Sequence, residues 1–534
     1  MEIIARLANL PGALPGACAQ GLIWGIMAIG VYLTYRILDV ADLTVDGSFG
    51  TGGAVCVMCL LSGQNVWVSL LMALLAGLLS GLVTGVLHTF MGIPAILAGI
   101  LTQLSLYSIN LKIMGKANQA INVDKYNLLI SLRWVKEFAL HNPIVMIIIV
   151  TAVLIGILYW LFGTELGCDI RATGSNPAMS RAQGINTNFN IVLGLAVSNG
   201  LVALSGALLS QYQGFADVGM GRGAIVIGLA AVIIGEALFS RIFHNFALKM
   251  VSVSLGAIIY YIVIQLVLTL GFDANLLKLL SGHNVWFALF MALVAGLLTG
   301  LVTGLFHTFM GIPAILAGIL TQLSLYSINL KIMGKANQSI NVDKNGVLIS
   351  LRWVKEFALR NPLVMVGIIT VVLIAIMYWF FGTELGCGIR ATGANPNMSR
   401  AQGINTGFNT VLGLMISNGL VALAGALLAQ YQGFADVSMG RGAIVIGLAA
   451  IIIGEALFGK IFHNFGLRLL GVSLGAVVYY IVIQVVILLG LDANLLKLLS
   501  ASVVAVFLAV PYWKSKYFAK PTAKKNQKEG AKNA

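Results

Sequence analysis

Charge is what this sequence has least of. Of its 534 residues only 9% are Asp, Glu, Lys or Arg, against 59% apolar, and the mean hydropathy is +0.96. A soluble globule of this size would have too little polar surface to cover it, so the solvent for most side chains is lipid. Cysteine is scarce too: Cys18, Cys56, Cys59, Cys168 and Cys387 show no metal-ligand spacing beyond the Cys56/Cys59 pair. That pair lies inside an apolar run and reads as small-residue packing, so neither a disulfide framework nor a metal site is expected. None of the six histidines (His88, His141, His244, His283, His307, His463) neighbours a candidate serine with a carboxylate, which argues against a hydrolase. No Gly-x-x-x-x-Gly-Lys-Ser/Thr phosphate loop occurs, so work driven by ATP would draw on another subunit. The N-terminus lacks a basic stretch followed by a cleavable site, and the first apolar segment is expected to be retained.

What charge there is sits unevenly. The net +14 would suit nucleic acid, but seven lysines fall between Lys514 and Lys532, directly after an apolar segment. A lysine cluster at the end of a span marks a cytoplasmic face near anionic lipid, and nucleic acid is not expected as a partner.

The chain is largely one sequence written twice. Gly63–Ser281 returns as Gly282–Ser500 at a constant offset of 219 residues without a gap. Roughly four positions in five are identical, and most differences exchange one apolar residue for another. Each copy holds several apolar stretches of bilayer-spanning length, which excludes a solenoid. The first copy and its leader carry candidate spans near 17–37, 45–61, 65–90, 93–113, 142–163, 189–211, 223–239 and 247–271, and the whole chain about fifteen, of roughly 17 to 27 residues each. Six belong to the repeated unit. An even number returns the chain to its starting side, so the expected fold is an all-α polytopic bundle of two parallel, same-orientation repeats, which disfavours inverted-repeat carriers.

Within each copy Ala73, Gly77, Gly81 and Gly85, and again Ala292, Gly296, Gly300 and Gly304, recur every fourth position, a helix face along which backbones can approach closely. The next span carries Gln103 and Asn110, matched by Gln322 and Asn329, with several Ser and Thr, and later spans add Asn199, Gln265, Asn418 and Gln484. Such groups in lipid either bond to neighbouring helices or face a wet pathway. Near the N-terminus Arg36, Asp39, Asp42 and Asp46 fall at a span boundary beside Gly47 and Gly50. This is either a gate or solute-contacting broken helix, with the glycines allowing the break, or an interfacial loop with an Arg36–Asp39 pair.

The most polar connector runs from Arg171 to Asn186 and repeats as Arg390 to Asn405, the copies differing only at Ser175/Ala394 and Ala178/Asn397. Asn176 is placed to cap a helix of about two turns with Pro177 in its first turn and Gly184 at its end. Two arginines and no acid within it favour the cytoplasm. Its plain reading is a solvated connector.

On Gly174-x-Asn176-Pro177, Gly184-Ile185-Asn186 and their second-copy counterparts, the chain resembles the permease subunits of bacterial ATP-binding-cassette importers of the branched-chain amino-acid and ribose type. The N-terminal run Arg36-Ile-Leu-Asp39-Val-Ala-Asp42-Leu-Thr-Val-Asp46-Gly47-Ser48-Phe49 resembles a subgroup paired with a tryptophan/tyrosine-type binding lipoprotein. The resemblance covers residues 15–281 and again 282–513. It implies a permease for a small solute, an amino acid before other classes, in a bacterial plasma (inner) membrane. It further implies a cytoplasmic ATPase dimer that holds ATP and Mg, an extracytoplasmic solute-binding lipoprotein, and no cofactor bound by this chain. Arg171, Asn176, Pro177, Arg181, Gly184 and Asn186, with Arg390, Asn395, Pro396, Arg400, Gly403 and Asn405, become ATPase-coupling positions. Glu165 and Glu384, before the loops, pair locally or with the ATPase; Glu236 and Glu455, near a span's end, snorkel, pair or couple. Arg36, Asp39, Asp42, Asp46, Gly47, Gln103, Asn110, Gln322 and Asn329 become candidates for a gate or translocation path.

With those loops inside, the basic loops 112–141 and 331–360 lie outside, against the positive-inside rule. The resemblance divides the chain into 1–281, a repeat without its usual last span and basic tail, 282–513, a repeat without the first two spans, and 514–534, a basic cytoplasmic tail. The joint falls where both parents read Leu-Leu-Ser, at Leu60-Leu61-Ser62 and Leu279-Leu280-Ser281. The assembly is then a single-chain pseudo-dimer or a homodimer, and the alternatives are a secondary carrier or channel, or a fusion that inserts without transporting.

Overall fold

The computed structural model describes residues 10–488, except 123–124, 137–141, 241–242, 271–284, 341–346, 354–360, 441 and 460, together with 495, 498, 501–502, 504–506, 509 and 513. Ten of its helices are long and apolar enough to cross a membrane, and Val45–Leu61, Ala224–Phe239 and Ile446–Glu455 are shorter apolar helices. Helices dominate because backbone groups facing lipid have no water to bond and must satisfy one another within the segment. The chain forms two compact bodies, one of residues 1–271 and 480–534, the other of 272–479.

In the first body α1 (Leu10–Tyr32) runs into a π-helical turn, Leu33–Ile37, and α2 is Val45–Leu61. Then come α3 (Val66–Thr89), α4 (Ala95–Met114), α5 (Pro143–Gly163), α6 (Glu165–Ser175), α7 (Pro177–Ala182), α8 (Thr187–Gln213), α9 (Ala224–Phe239) and α10 (Phe246–Leu270). Local chemistry sets many ends. Asn142, Thr164, Asn176 and Asn186 each accept a backbone N–H of the helix they precede, the N-cap arrangement. Gly115 and Gly214, at φ 69° and 78°, close α4 and α8. A strand β1 (Asn118–Ala120) pairs antiparallel with β2 (Phe215–Asp217). The loop after α4 is thereby folded onto the end of α8, where Gln211 Oε1 also accepts Leu129 N–H at 3.0 Å.

The core lies where α1, α2 and α3 pack around α8. The four-residue spacing on α3 does what its small residues allow: a Cβ on Gly77 or Gly81 would strike the Asn199 or Leu195 carbonyl oxygen of α8, and one on Gly85 would lie 2.8 Å from Val192 Cα. On α2, a Cβ on Gly52 would overlap the Ala203 carbonyl, and on α8 a Cβ on Gly206 would overlap that of Phe49. Glycine here brings backbones together, the lipid-phase substitute for hydrophobic burial.

The second body repeats the elements from α3 onward: α11 (Val285–Thr308), α12 (Ala314–Met333), α13 (Pro362–Gly382), α14 (Glu384–Ala394), α15 (Pro396–Ala401), α16 (Thr406–Gln432), α17 (Ala443–Phe458) and α18 (Phe465–Leu488), the last ending within the first body. Strands β3 (Asn337–Ser339) and β4 (Phe434–Asp436) pair as in the first copy. Gly296, Gly300 and Gly304 again meet the facing helix, at Asn418, Leu414 and Val411. Burial nevertheless differs sharply. Of the most apolar stretch of α8, 72% is buried, and of its duplicate in α16, 11%. The second copy has no counterpart of α1 and α2, so the same helix face is left uncovered.

Candidate functional site

Two arrangements of polar residues stand out. The first is the connector after α5. Thr164 caps α6, Asn176 accepts Met179 N–H at 3.0 Å, Pro177 takes the first position of α7, and Gly184 follows at φ 86°. The expected capped helix is present, ended by glycine, and it spans six residues. The eleven-residue α6 before it was not expected; Thr164 followed by Glu165 was its legible start signal. The hairpin is anchored by Asn190 Nδ2 donating to Thr173 Oγ1 at 3.1 Å and by Arg181 Nε donating to Thr187 Oγ1 at 2.9 Å. The Arg171 guanidinium lies 5.5 Å from the Phe246 ring centre. These anchors leave Asn176, Pro177, Arg181, Gly184 and Asn186 exposed, with Met179 59% exposed. Glu165 is exposed in the first turn of α6, where a carboxylate is favoured by the helix dipole.

The second copy reproduces this almost atom for atom. Asn395 accepts Met398 N–H at 3.0 Å, Arg400 Nε donates to Thr406 Oγ1 at 2.9 Å, and Arg390 lies 5.0 Å from the Phe465 ring. Pro396, Gly403, Asn405 and Glu384 are exposed. Beside Arg390 is a cleft of about 520 Å³ bounded by Trp379, His463 and Phe465, which reading the sequence missed because its walls come from α13, α14 and the start of α18. In each copy the connector is thus an exposed, capped pair of helices with an arginine, Arg181 or Arg400, in the last turn of the second.

The second arrangement is the knot around residues 36–48. The helical path breaks at Leu38–Thr44, where Asp39 takes the left-handed φ of 55°. Gly47 and Gly50 do not make the break: both lie inside α2, and a Cβ on Gly47 would come 2.9 Å from Gln103 Cα of α4, one on Gly50 3.3 Å from Asn110 Nδ2. Arg36 pairs with Glu236 of α9 at 3.1 Å, not with Asp39, the partner that the interfacial-loop alternative gave it. Asp42, buried, accepts Thr44 N–H at 2.9 Å and Asn199 Nδ2 at 2.6 Å. Ser48 donates to Asn199 Oδ1. Thr44, Thr84 and Thr102 form a hydroxyl chain at 2.7 and 2.9 Å. Asp46 accepts Gly223 and Ile225 N–H at 3.2 and 3.0 Å, so its carboxylate serves the orphan donors and positive dipole end of α9.

The structure sets Asp42 against Asn199, Asp46 against the start of α9, and Gly47 and Gly50 against Gln103 and Asn110 of α4, while Asp39 is exposed. Gln322 and Asn329 are exposed on α12. Asn199, Ser48, Thr44 and Thr84 were missed as members; only Asn199, polar in an apolar span, carried a sequence signal.

Helical repeats of this length, with lipid-facing flanks, a glycine-packed interior and exposed hairpins repeated in both copies, define a polytopic membrane protein of the transporter class. The chain belongs to the family described as branched-chain amino acid transport system / permease component, whose model matches residues 14–282 and 264–510. It is 36% identical over 266 residues to the tyrosine transport system permease protein of Clostridioides difficile (strain R20291), covering 49% of this chain and 85% of that one. An uncharacterized protein of Rickettsia prowazekii (strain Madrid E) is 36% identical over 275 residues, 51% of this chain and 95% of that one. The fructose import permease protein of Bifidobacterium longum (strain NCC 2705) is 29% identical over 270 residues, 50% of this chain and 73% of that one. No solved structure matches significantly. The chain is thus a multi-pass inner-membrane permease component with its family domain present twice.

Proposed function

We propose that this chain is the membrane subunit of an ATP-driven importer for a small solute of amino-acid type, with tyrosine the first candidate because a 36% identical relative carries that name. The observation that carries the coupling is the exposed α6–α7 hairpin, capped by Asn176 and pinned through Arg181 to Thr187, and its duplicate α14–α15. A separate cytoplasmic ATPase dimer holding ATP and Mg grips these hairpins, and closure of the ATPase pair moves α8 and α16 through the caps that join them. An extracytoplasmic binding lipoprotein delivers the solute on the side of the 112–141 and 331–360 loops, and the lysine tail lies at the cytoplasmic face. The chain itself needs no cofactor. Repeat boundaries at 281/282 and 513/514 follow from the 219-residue period and the basic tail.

The test is co-purification. An affinity-tagged chain should retain an ATPase from its native membranes, and the double change Arg181→Glu, Arg400→Glu should release most of it while leaving the permease in the membrane. Full retention by that variant, or modification of a Met179→Cys thiol by an impermeant reagent added outside intact cells, refutes the coupling assignment. A second reading, in which the second copy inserts without forming a transport half, is favoured by one observation: no described residue lies within 4 Å of a Cβ placed on Gly318, Gly393, Gly425, Gly440 or Gly447. In the first copy the equivalents meet Leu43, Ile37, Phe49, Asp46 and Val31.

A further inference from the structure

The stretch Asp492–Ser500 repeats Asp273–Ser281 residue for residue, and at the position before it Leu491 stands for Phe272. The same run thus leads into residues 501–513 after Ser500 but passes straight to Gly282 after Ser281. Two nearly identical helices, α4 and α12, compete for one final segment.

The structure places that segment with the first copy. The described residues from 480 to 513 belong to the same compact body as α1 to α10. Leu498 N–H donates to Ser108 Oγ of α4 at 3.3 Å. Ser108 is fully buried and Asn110 1% exposed, while their duplicates Ser327 and Asn329 are exposed. Ala501, Val504, Ala505 and Ala509 are buried at 2%, 1%, 7% and 0%, and Ser502 and Val506 are exposed. A repeat of three and four residues places the buried set on one helix face, and alanine at every fourth position permits the close approach that lipid-embedded helices use.

We propose that the C-terminal segment beginning near Leu498 is the closing span of the first repeat, not of the second repeat whose sequence it ends. One chain then holds one whole permease repeat, α1 to α10 with the segment from Leu498, interrupted by an incomplete second copy that lacks both its opening hairpin and its closing span. The choice between the copies has a physical origin. The first copy is complete in every other element, with Ser108 and Asn110 inside its packed interior; α12 offers the same residues on a surface that α1 and α2 do not back. The proposal concerns which helices pack together and stands whether or not an ATPase drives transport.

The full chain, with its five cysteines changed to Ser and a specific protease site at the Ser281/Gly282 joint, tests it in native membranes. With Ser108→Cys and Leu498→Cys, mild oxidation should lock the two protease fragments together at single-chain mass until reductant is added. With Ser327→Cys and Leu498→Cys, both thiols should stay reactive to maleimide. Loss of reactivity in the 327/498 pair together with free fragments in the 108/498 pair overturns the proposal. So does a 108/498 link found only at twice the chain mass, which would mean exchange between chains. A single photoreactive residue at position 498 guards against a disturbed double variant: capture must join the two fragments of one chain, and capture confined to the C-terminal fragment refutes the assignment.

Discussion

Gly206 and Gly425 occupy equivalent places in the two copies, in Ala-Leu-Ser-Gly-Ala-Leu-Leu and Ala-Leu-Ala-Gly-Ala-Leu-Leu, and alanine should affect them oppositely. At both, replacing a helix-interior glycine removes an unfavourable propensity of about 1 kcal/mol, a value from water that lipid reduces. At Gly425 no described residue opposes the new methyl, so the change should be neutral or slightly stabilising. At Gly206 the methyl overlaps the Phe49 carbonyl of α2, backbone that moves only by parting two helices. Overpacking of that kind costs roughly 1–3 kcal/mol, and the loss of approach spreads to the neighbouring Gly52–Ala203 contact. A net destabilisation of about 2 kcal/mol would lower the unfolding midpoint of the first body by roughly 4–8 °C. Detergent-purified protein heated stepwise and scored for the monodisperse fraction gives that midpoint. Equal losses at the two positions, or a larger loss from Gly425→Ala, would refute the reasoning, because a segment equivalent to α2 would then cover the second copy.

The same asymmetry should hold for side chains. Asn199→Ala strips a buried carboxylate and Ser48 of a partner and should cost about 1–3 kcal/mol, whereas Asn418, which donates to the Leu414 carbonyl of its own helix at 2.9 Å, should tolerate alanine within about 0.5 kcal/mol; the heating assay compares the two. Arg36→Ala should change stability by less than about 1 kcal/mol, because its pair with Glu236 is 61% and 35% exposed; a loss of several degrees would show that the pair is more than a surface contact. Asp46→Ala should loosen the start of α9, seen as faster amide exchange at Gly223 and Ile225 than in the parent, and unchanged exchange would remove Asp46 from the role of acceptor for that helix end.

Much of this architecture was legible before any coordinates. The lipid solvent follows from charge content, the duplication from a gapless 219-residue offset, and α7 from the local run Asn176-Pro177 to Gly184, whose cap bonds involve residues three apart. The glycine face of α3 was equally readable, since a four-residue period needs no knowledge of the partner helix. The pairing of Arg36 with Glu236, 200 residues away, was not; sequence offered only the nearer Asp39 as one alternative. Nor was the service of Asp46 to the start of α9, because an acceptor's donors are chosen by packing.

Sequence alone determined the class of protein, its two copies, its packing glycines and its capped connectors, because hydropathy, period and cap chemistry act over a few residues. Tertiary structure decided which copy is tightly packed. Asn199 and Asn418, or Ser108 and Ser327, sit in nearly identical sequences yet differ in burial and partners, since what surrounds a residue is supplied by segments far along the chain. Only the first copy has α1, the 36–48 knot and α2 to complete its interior.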